Sequence, residues 1–228
     1  MAIFAISDLH LALNGDKPMD VFGDNWYKHE EKIKSNWIGK IKEEDTVLIA
    51  GDISWSMSIE EGLKDLDWLN ELPGRKIMIK GNHDYWWNSI SKLNKLYEGM
   101  NFIQNNFYAY EDYAISGTRG WTCPGGGDYS VHDKKIYIRE QIRLELSLAK
   151  SVKAGYKKHI VMLHYPPTNA KFEDSGFTEI IKQYTVEKVI YGHLHGPSFP
   201  CVLQGERENT KYIMTASDFI DFNPVKII

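Results

Sequence analysis

Val47-Leu48-Ile49-Ala50-Gly51-Asp52 is an unbroken apolar run that ends on a glycine and an acid. A run this short and this continuously apolar fits a strand buried on both faces of a sheet. The same pattern recurs outward in both directions. Ile3 to Ile6 leads into Ser7-Asp8, and Ile77 to Ile79 leads into Lys80-Gly81. Further along, Ile160 to Leu163 leads into His164, and Val189 to Tyr191 leads into Gly192-His193.

Helical stretches alternate with these runs. Between Trp26 and Ile41 the apolar residues gather on one face. Ser58 is placed to cap a helix carrying Leu63, Leu66 and Leu69, with Glu61 three residues on as in a capping box. Helices are also expected over Asn88 to Tyr97, Ile136 to Ala154 and Gly176 to Tyr184. Phe102 to Ser116 reads as two or three short antiparallel strands, and a last pair is expected at Phe199 to Leu203 and Tyr212 to Thr215. Gly117 to Lys135, glycine-rich at Pro124 to Gly127, reads as a long loop of the kind that is often functional. This order gives an α/β fold: one domain over residues 1–228, with two mixed sheets packed face to face and helices flanking both, a four-layer α-β-β-α sandwich.

Composition narrows the function classes. The 228 residues carry 27 Lys plus Arg against 31 Asp plus Glu, a net charge of −4. That balance disfavours a protein that coats nucleic acid by general electrostatics, although bound cations can still make a small phosphate site. Cys123 and Cys201 are the only cysteines, too few for a disulfide framework or a thiolate zinc site. The apolar start lacks a basic lead, and no window nears the ~20 apolar residues of a membrane span, so a cytoplasmic protein without a membrane partner is expected.

The strand ends carry metal-ligand chemistry. In chain order they deliver Asp8-Leu9-His10, Gly51-Asp52, Gly81-Asn82-His83-Asp84, His164, and Gly192-His193-Leu194-His195. Open α/β sheets place their sites at such ends. In an extended segment residues i and i+2 point the same way, so Asp8 with His10, and His193 with His195, would each aim two side chains at one place. Of eight histidines only His29, His132 and His159 lie outside these motifs. Singly, Asp8 or Asp52 reads as a loop or capping residue and His164 as a satisfied strand-end histidine. Jointly they read as a site.

In order and spacing the five segments resemble the signature of the calcineurin-like metallophosphoesterases, across residues 8 to 195. The surroundings, including Lys17-Pro18-Met19-Asp20, Gly51-Asp52-Ile53-Ser54-Trp55 and Gly117-Thr118-Arg119-Gly120-Trp121, resemble a bacterial branch known as predicted phosphohydrolases. The resemblance implies that Asp8, His10 and His195 bind one metal ion, that Asn82, His164 and His193 bind a second, and that Asp52 bridges both. His83 would be the general acid and Asp84 its orienting carboxylate. A donor set of imidazole, carboxylate and amide oxygen suits Mn, Fe or Zn. The implied reaction is hydrolysis of a phosphomonoester or phosphodiester on a small phosphorylated substrate, by attack of a metal-bridging hydroxide.

Three positions depart from the family pattern without removing a ligand. They are Ser7 in place of glycine, Ser54-Trp55 after the second motif, and Tyr165-Pro166-Pro167 after His164. A nuclease or nucleotide pyrophosphatase is the alternative within the class, disfavoured by the even charge mix. A metal-binding interaction scaffold is the alternative outside it, disfavoured by the complete ligand set. Arg119 is a candidate for contacting substrate phosphate from the long loop. The tryptophans, Trp55 and Trp121 among them, read as core or loop anchors, and Asp218 and Asp221 as ordinary loop carboxylates.

Overall fold

A computed structural model describes residues 1–15, 17–126 and 129–228. Two sheets make the centre. In the first, β1 (Ile3–Ile6), β2 (Thr46–Ile49), β3 (Arg75–Met78) and β4 (Met100–Phe102) run parallel, and β11 (Val225–Lys226) pairs antiparallel with β1. In the second, β6 (Tyr113–Thr118), β7 (Lys158–Leu163), β8 (Val186–Tyr191) and β10 (Thr210–Met214) run parallel. Its edges are antiparallel: β5 (Phe107–Tyr110) beside β6, and β9 (Gly205–Arg207) beside β10.

Side chains on a strand alternate between faces, and that alternation builds the layers. Ile3, Ala5, Leu48, Ala50 and Ile77 point at Ile115, Ile160, Met162, Ile190 and Ile213 of the other sheet. Their neighbours Phe4, Ile6, Val47, Ile49 and Met78 face outward, onto α1 (His29–Ile38) and α2 (Ile59–Asn70) through Ile33, Trp37, Leu66 and Leu69. On the far side Val161, Leu163, Val189 and Tyr191 pack on α4 (Val131–Lys153) and α5 (Gly176–Gln183) through Leu144, Leu148, Phe177 and Ile181. The result is the four-layer sandwich that the element order implies. No helix among the described residues is long and apolar enough to cross a membrane.

Several boundaries differ from the sequence reading. The stretch 102–116 is divided between the sheets. Phe102 ends a parallel strand of the first, whereas β5 and β6 form a hairpin in the second, turning at Glu111 with φ 50°. Apolar content cannot say which sheet a short strand joins. The last pair is β9 and β10, turning at Glu208-Asn209, where both φ angles are positive (51° and 65°) as a two-residue hairpin turn demands. Gly196–Cys201 is instead a 3₁₀ segment, because Pro197 and Pro200 have no N–H to give a ladder.

The helix expected over Asn88 to Tyr97 shrinks to one turn, α3 (Ile90–Leu93). Trp26 belongs to a separate 3₁₀ turn, Asp24–Trp26, ahead of α1. The Ser58 hydroxyl does accept the Glu61 N–H at 3.3 Å, but the Glu61 carboxylate takes the Met57 N–H rather than closing a box. The expected long loop is shorter at both ends. Gly117 and Thr118 finish β6, and α4 starts at Val131 because Ser130 and Asp133 form a capping box. Gly127, part of the glycine-rich stretch, lies outside the described residues.

Candidate metal centre

Within each sheet the strands that deliver candidate ligands run parallel to one another, and the carboxyl ends of β1, β2, β3, β7 and β8 meet along one edge of the sandwich. The loops there are not extended. Asp8, His10, Asp52 and His193 all adopt left-handed backbone, with φ of 56°, 47°, 50° and 73°. The i, i+2 argument from extended geometry therefore fails, and tight turns bring Asp8 beside His10 instead. Each such non-glycine residue costs roughly 1–2 kcal/mol. Hydrogen bonds between the loops hold them: Asp8 N–H donates to Gly51 O at 2.9 Å, His10 N–H to Asp52 O at 3.0 Å, and His193 N–H to Asp8 Oδ2 at 3.1 Å. The loops also touch where side chains are missing. A Cβ on Gly81 would fall on Asp52, and one on Gly192 on the Asp8 carboxylate and the Ser7 hydroxyl.

Asp8, His10 and His195 offer donor atoms within 4.8 Å of one another, and so do Asp8, Asp52 and His164. Asp52 Oδ2 lies between the two expected ligand sets, 3.8 Å from His10 Nε2 and 3.4 Å from His164 Nε2. His164 Nε2 also meets Asn82 Oδ1 at 2.7 Å, while its Nδ1 faces Ala50 O at 3.0 Å. Fixing one ring nitrogen on a carbonyl aims the other inward. His193 stacks on Tyr165 with ring centres 3.9 Å apart and lines the same cavity as His10, Asp52, His83 and His195. All seven expected ligands are therefore gathered at one place.

Electrostatics sharpen the picture. Burial lowers the His10 imidazole to about 4 and the His193 imidazole to about 3, so both rings keep free lone pairs at neutral pH. Burial alone would lower His195 and His164 too. Hydrogen bonds to Asp218 and Asp8 instead push His195 up to about 10, and the Asp52 and Asp8 carboxylates push His164 up to about 9. Burial opposes ionisation of Asp8, yet His195 outweighs it and brings the carboxyl down to about 2. The two buried carboxylates thus favour protons on the rings between them. The Nδ1 of His10 is buried with no hydrogen-bond partner among the described residues. A cation that replaced those protons would satisfy carboxylates and rings together, so the donor set fits a metal centre.

Three side chains stand elsewhere than the sequence reading implies. Asp84 does not face His83. Its Oδ1 accepts from Ile53 N–H (2.8 Å), Ser54 N–H (3.1 Å) and Trp86 Nε1 (3.0 Å), and its Oδ2 from Gly81 N–H (2.7 Å). This buried carboxylate staples the second motif loop to the third. Asp218 is no ordinary loop carboxylate. It is buried, and its Oδ1 pairs with His195 Nδ1 at 2.8 Å, leaving Nε2 for the centre. The signal was present, since Tyr212 to Thr215 runs through Ala216-Ser217 into Asp218, the same strand-then-acid pattern as Val47 to Asp52. Arg119 does not line the metal cavity but sits in a neighbouring one, its guanidinium 4.5 Å over Trp121 and 3.8 Å from Glu140.

A calcineurin-like phosphoesterase family model matches residues 1–197. The chain belongs to the calcineurin-like phosphoesterases. Two curated relatives match in part. The gene 66 protein of Mycobacterium phage L5 is 36% identical over 78 residues, 34% of this chain and 37% of the relative. Its counterpart in phage D29 is 38% identical over 72 residues, 30% of this chain and 36% of the relative. The chain thus matches little more than a third of either phage protein's length.

Solved structures match over nearly all of the phosphoesterase chain. Phosphopantetheinyl hydrolase from Mycobacterium tuberculosis has a TM-score of 0.59 at 13% identity, covering 100% of this chain and 95% of its own. A protein of unknown function from Aquifex aeolicus has a TM-score of 0.56 at 18% identity, covering 99% and 95%. At such identities the likeness speaks for the fold alone.

Proposed function

We propose that the chain hydrolyses a phosphomonoester or phosphodiester of a small molecule with the help of two transition-metal ions, Mn, Fe or Zn. One observation carries the reading: Asp52 Oδ2 stands between an imidazole of each ligand set, His10 and His164, where a bridging carboxylate belongs. Asp8, His10 and His195 would hold one ion, and Asn82, His164 and His193 the other. When bound, such a pair supplies a nucleophilic water at neutral pH and stabilises the charge on the phosphoryl oxygens.

The chain's own residues supply the rest. Asp218 fixes the tautomer of His195 by taking its Nδ1 proton in a hydrogen bond. His83 lines the cavity without joining either donor group, and its main-chain N–H donates to Asp52 Oδ1 at 2.8 Å. Its ring packs on Trp55 at 4.2 Å, and in this reading it protonates the departing oxygen. With Asp84 turned away, Trp55 rather than a carboxylate sets the orientation of that ring. The cavity, about 290 Å³, is walled by Met19, Phe22, Trp26, Trp55 and Phe199. Walls of this kind suit a leaving group with a flat or apolar part.

The test is elemental analysis of the reconstituted protein together with a hydrolysis screen over monoesters, diesters, cyclic nucleotides and pyrophosphates. Two metal equivalents per chain and metal-dependent turnover are expected. A single equivalent at saturating metal would sink the two-metal reading.

A further inference from the structure

A second cavity, of about 210 Å³, opens beside the metal centre at the ends of β3, β4 and β6. Lys80, Arg119, Arg139 and Arg143 line it, with Glu140 and Asn105. The cations come from three separate places: the loop after β3, the residue after β6, and one face of α4. Glu140 is wholly buried and organises them. Its Oε1 takes Arg143 at 3.0 Å and Arg139 at 3.2 Å, with Arg119 at 3.8 Å, while its Oε2 is occupied by the Thr118 hydroxyl at 2.6 Å.

Charge does not balance there. Four cations face one carboxylate in a chain whose overall charge is −4. Asp84, four residues beyond Lys80, attracts that ammonium from among the motif loops, and even so four cations meet two carboxylates. The Nε of Arg119, a donor, is buried without a hydrogen-bond partner among the described residues. A cluster that served only to bury Glu140 would need one arginine. Three guanidiniums and an ammonium around one cavity repel one another, and an anion among them would offset that repulsion.

We propose that this cavity binds a phosphoryl group, as an anion site separate from the metal centre. A carboxylate would bring one charge and leave most of the surplus. A phosphoryl group brings nearly two, with oxygens for several forked donors at once. The site adjoins the chemistry: the main-chain oxygen of Arg119 accepts the N–H groups of His164 (3.0 Å) and Tyr165 (2.9 Å), while its guanidinium belongs to the cavity. The group comes either from a second phosphate on the substrate or from free phosphate.

Calorimetric titration of inorganic phosphate into the metal-loaded chain decides the matter. Two sites are expected, one lost in Asp52→Asn and the other weakened about tenfold or more in both Lys80→Gln and Arg139→Gln, as befits loss of a charge-assisted contact. These two cations are chosen because Arg143 still pairs with Glu140 when either is replaced, so folding is spared. Phosphate binding unchanged in both variants would overturn the proposal. A site lost in Lys80→Gln but indifferent to Asp52→Asn, with no second site, would uphold the cavity and sink the metal-centre reading instead. The source follows from kinetics. If the substrate carries the group, Arg139→Gln raises KM for a bisphosphorylated ester more than for a monophosphorylated one. If it is free, added phosphate alters turnover in the natural protein and the variant loses that response.

Discussion

At the scale of single residues, Asp218 and Asp84 show how a carboxylate's partner decides its meaning. Asp218 belongs to neither expected ligand set, yet its bond to His195 Nδ1 fixes the ring of an expected ligand. Replacing such a partner typically costs 10–100-fold in metal affinity. Asp218→Ala should therefore weaken metal binding by roughly that factor, as read by metal titration; unchanged affinity would return Asp218 to the loop. Asp84 carries the opposite lesson. Asp84→Asn puts an amide where four donors converge, and leaving buried donors unmet costs about 1–3 kcal/mol. Its expected phenotype is a lower melting temperature, not the leaving-group dependence of a general acid. Under the proposed function that dependence belongs to His83. His83→Ala should keep both metals and slow alkyl phosphates by ~10²–10⁴-fold, with activated aryl phosphates slowed much less. Equal slowing of both classes, with metal lost, would assign His83 a merely supporting role.

At the scale of elements, α4 depends on its first turn. Ser130 accepts the Asp133 N–H at 3.1 Å, and Asp133 Oδ2 accepts the Ser130 N–H at 2.9 Å. Ser130→Ala should cost about 1 kcal/mol in chemical denaturation. The Ser130 hydroxyl and N–H and the Trp121 indole N–H hold the Asp133 carboxyl down at about 2. A carboxyl depressed on folding gives stability that is complete above its unfolded value near 3.8 and fades as pH falls toward 2. Asp133→Asn should therefore flatten the pH dependence of stability between about pH 4 and 2, and a profile as steep as the natural chain's would contradict the assignment. The capping residues were in plain view in Ser130-Val131-His132-Asp133, yet the first turn of α4 is apolar-poor and passes for loop when read by periodicity. Strand placement was harder still. Short runs such as Met100–Phe102 and Phe107–Tyr110 carry no mark of the sheet they join, because pairing is set by partners distant in the chain.

At the scale of the whole molecule, the layer between the sheets holds the strand ends in register and so holds the centre. Ile77 is wholly buried there, and Ile77→Ala should cost about 2–5 kcal/mol, or roughly 5–15 °C in melting temperature. Melting within a degree of the natural chain would mean that the sheets close over the gap. The chain by itself determined the candidate donors, the strands that carry them and the sandwich, because residue identity is a local property and strand burial shows as an unbroken apolar run. Asp8, His10, Asp52, Asn82, His164, His193 and His195 were all legible on those terms. Only the tertiary structure decided how they converge, through left-handed turns at Asp8, His10, Asp52 and His193. It alone turned Asp84 away from His83, brought Asp218 to His195, and set Arg119 among Lys80, Arg139 and Arg143. The physical reason is the same in each case. A hydrogen bond or an ion pair depends on distance in space, and residues 20 to 63 positions apart gain that closeness only when β3, β6, β8, β10 and α4 pack together.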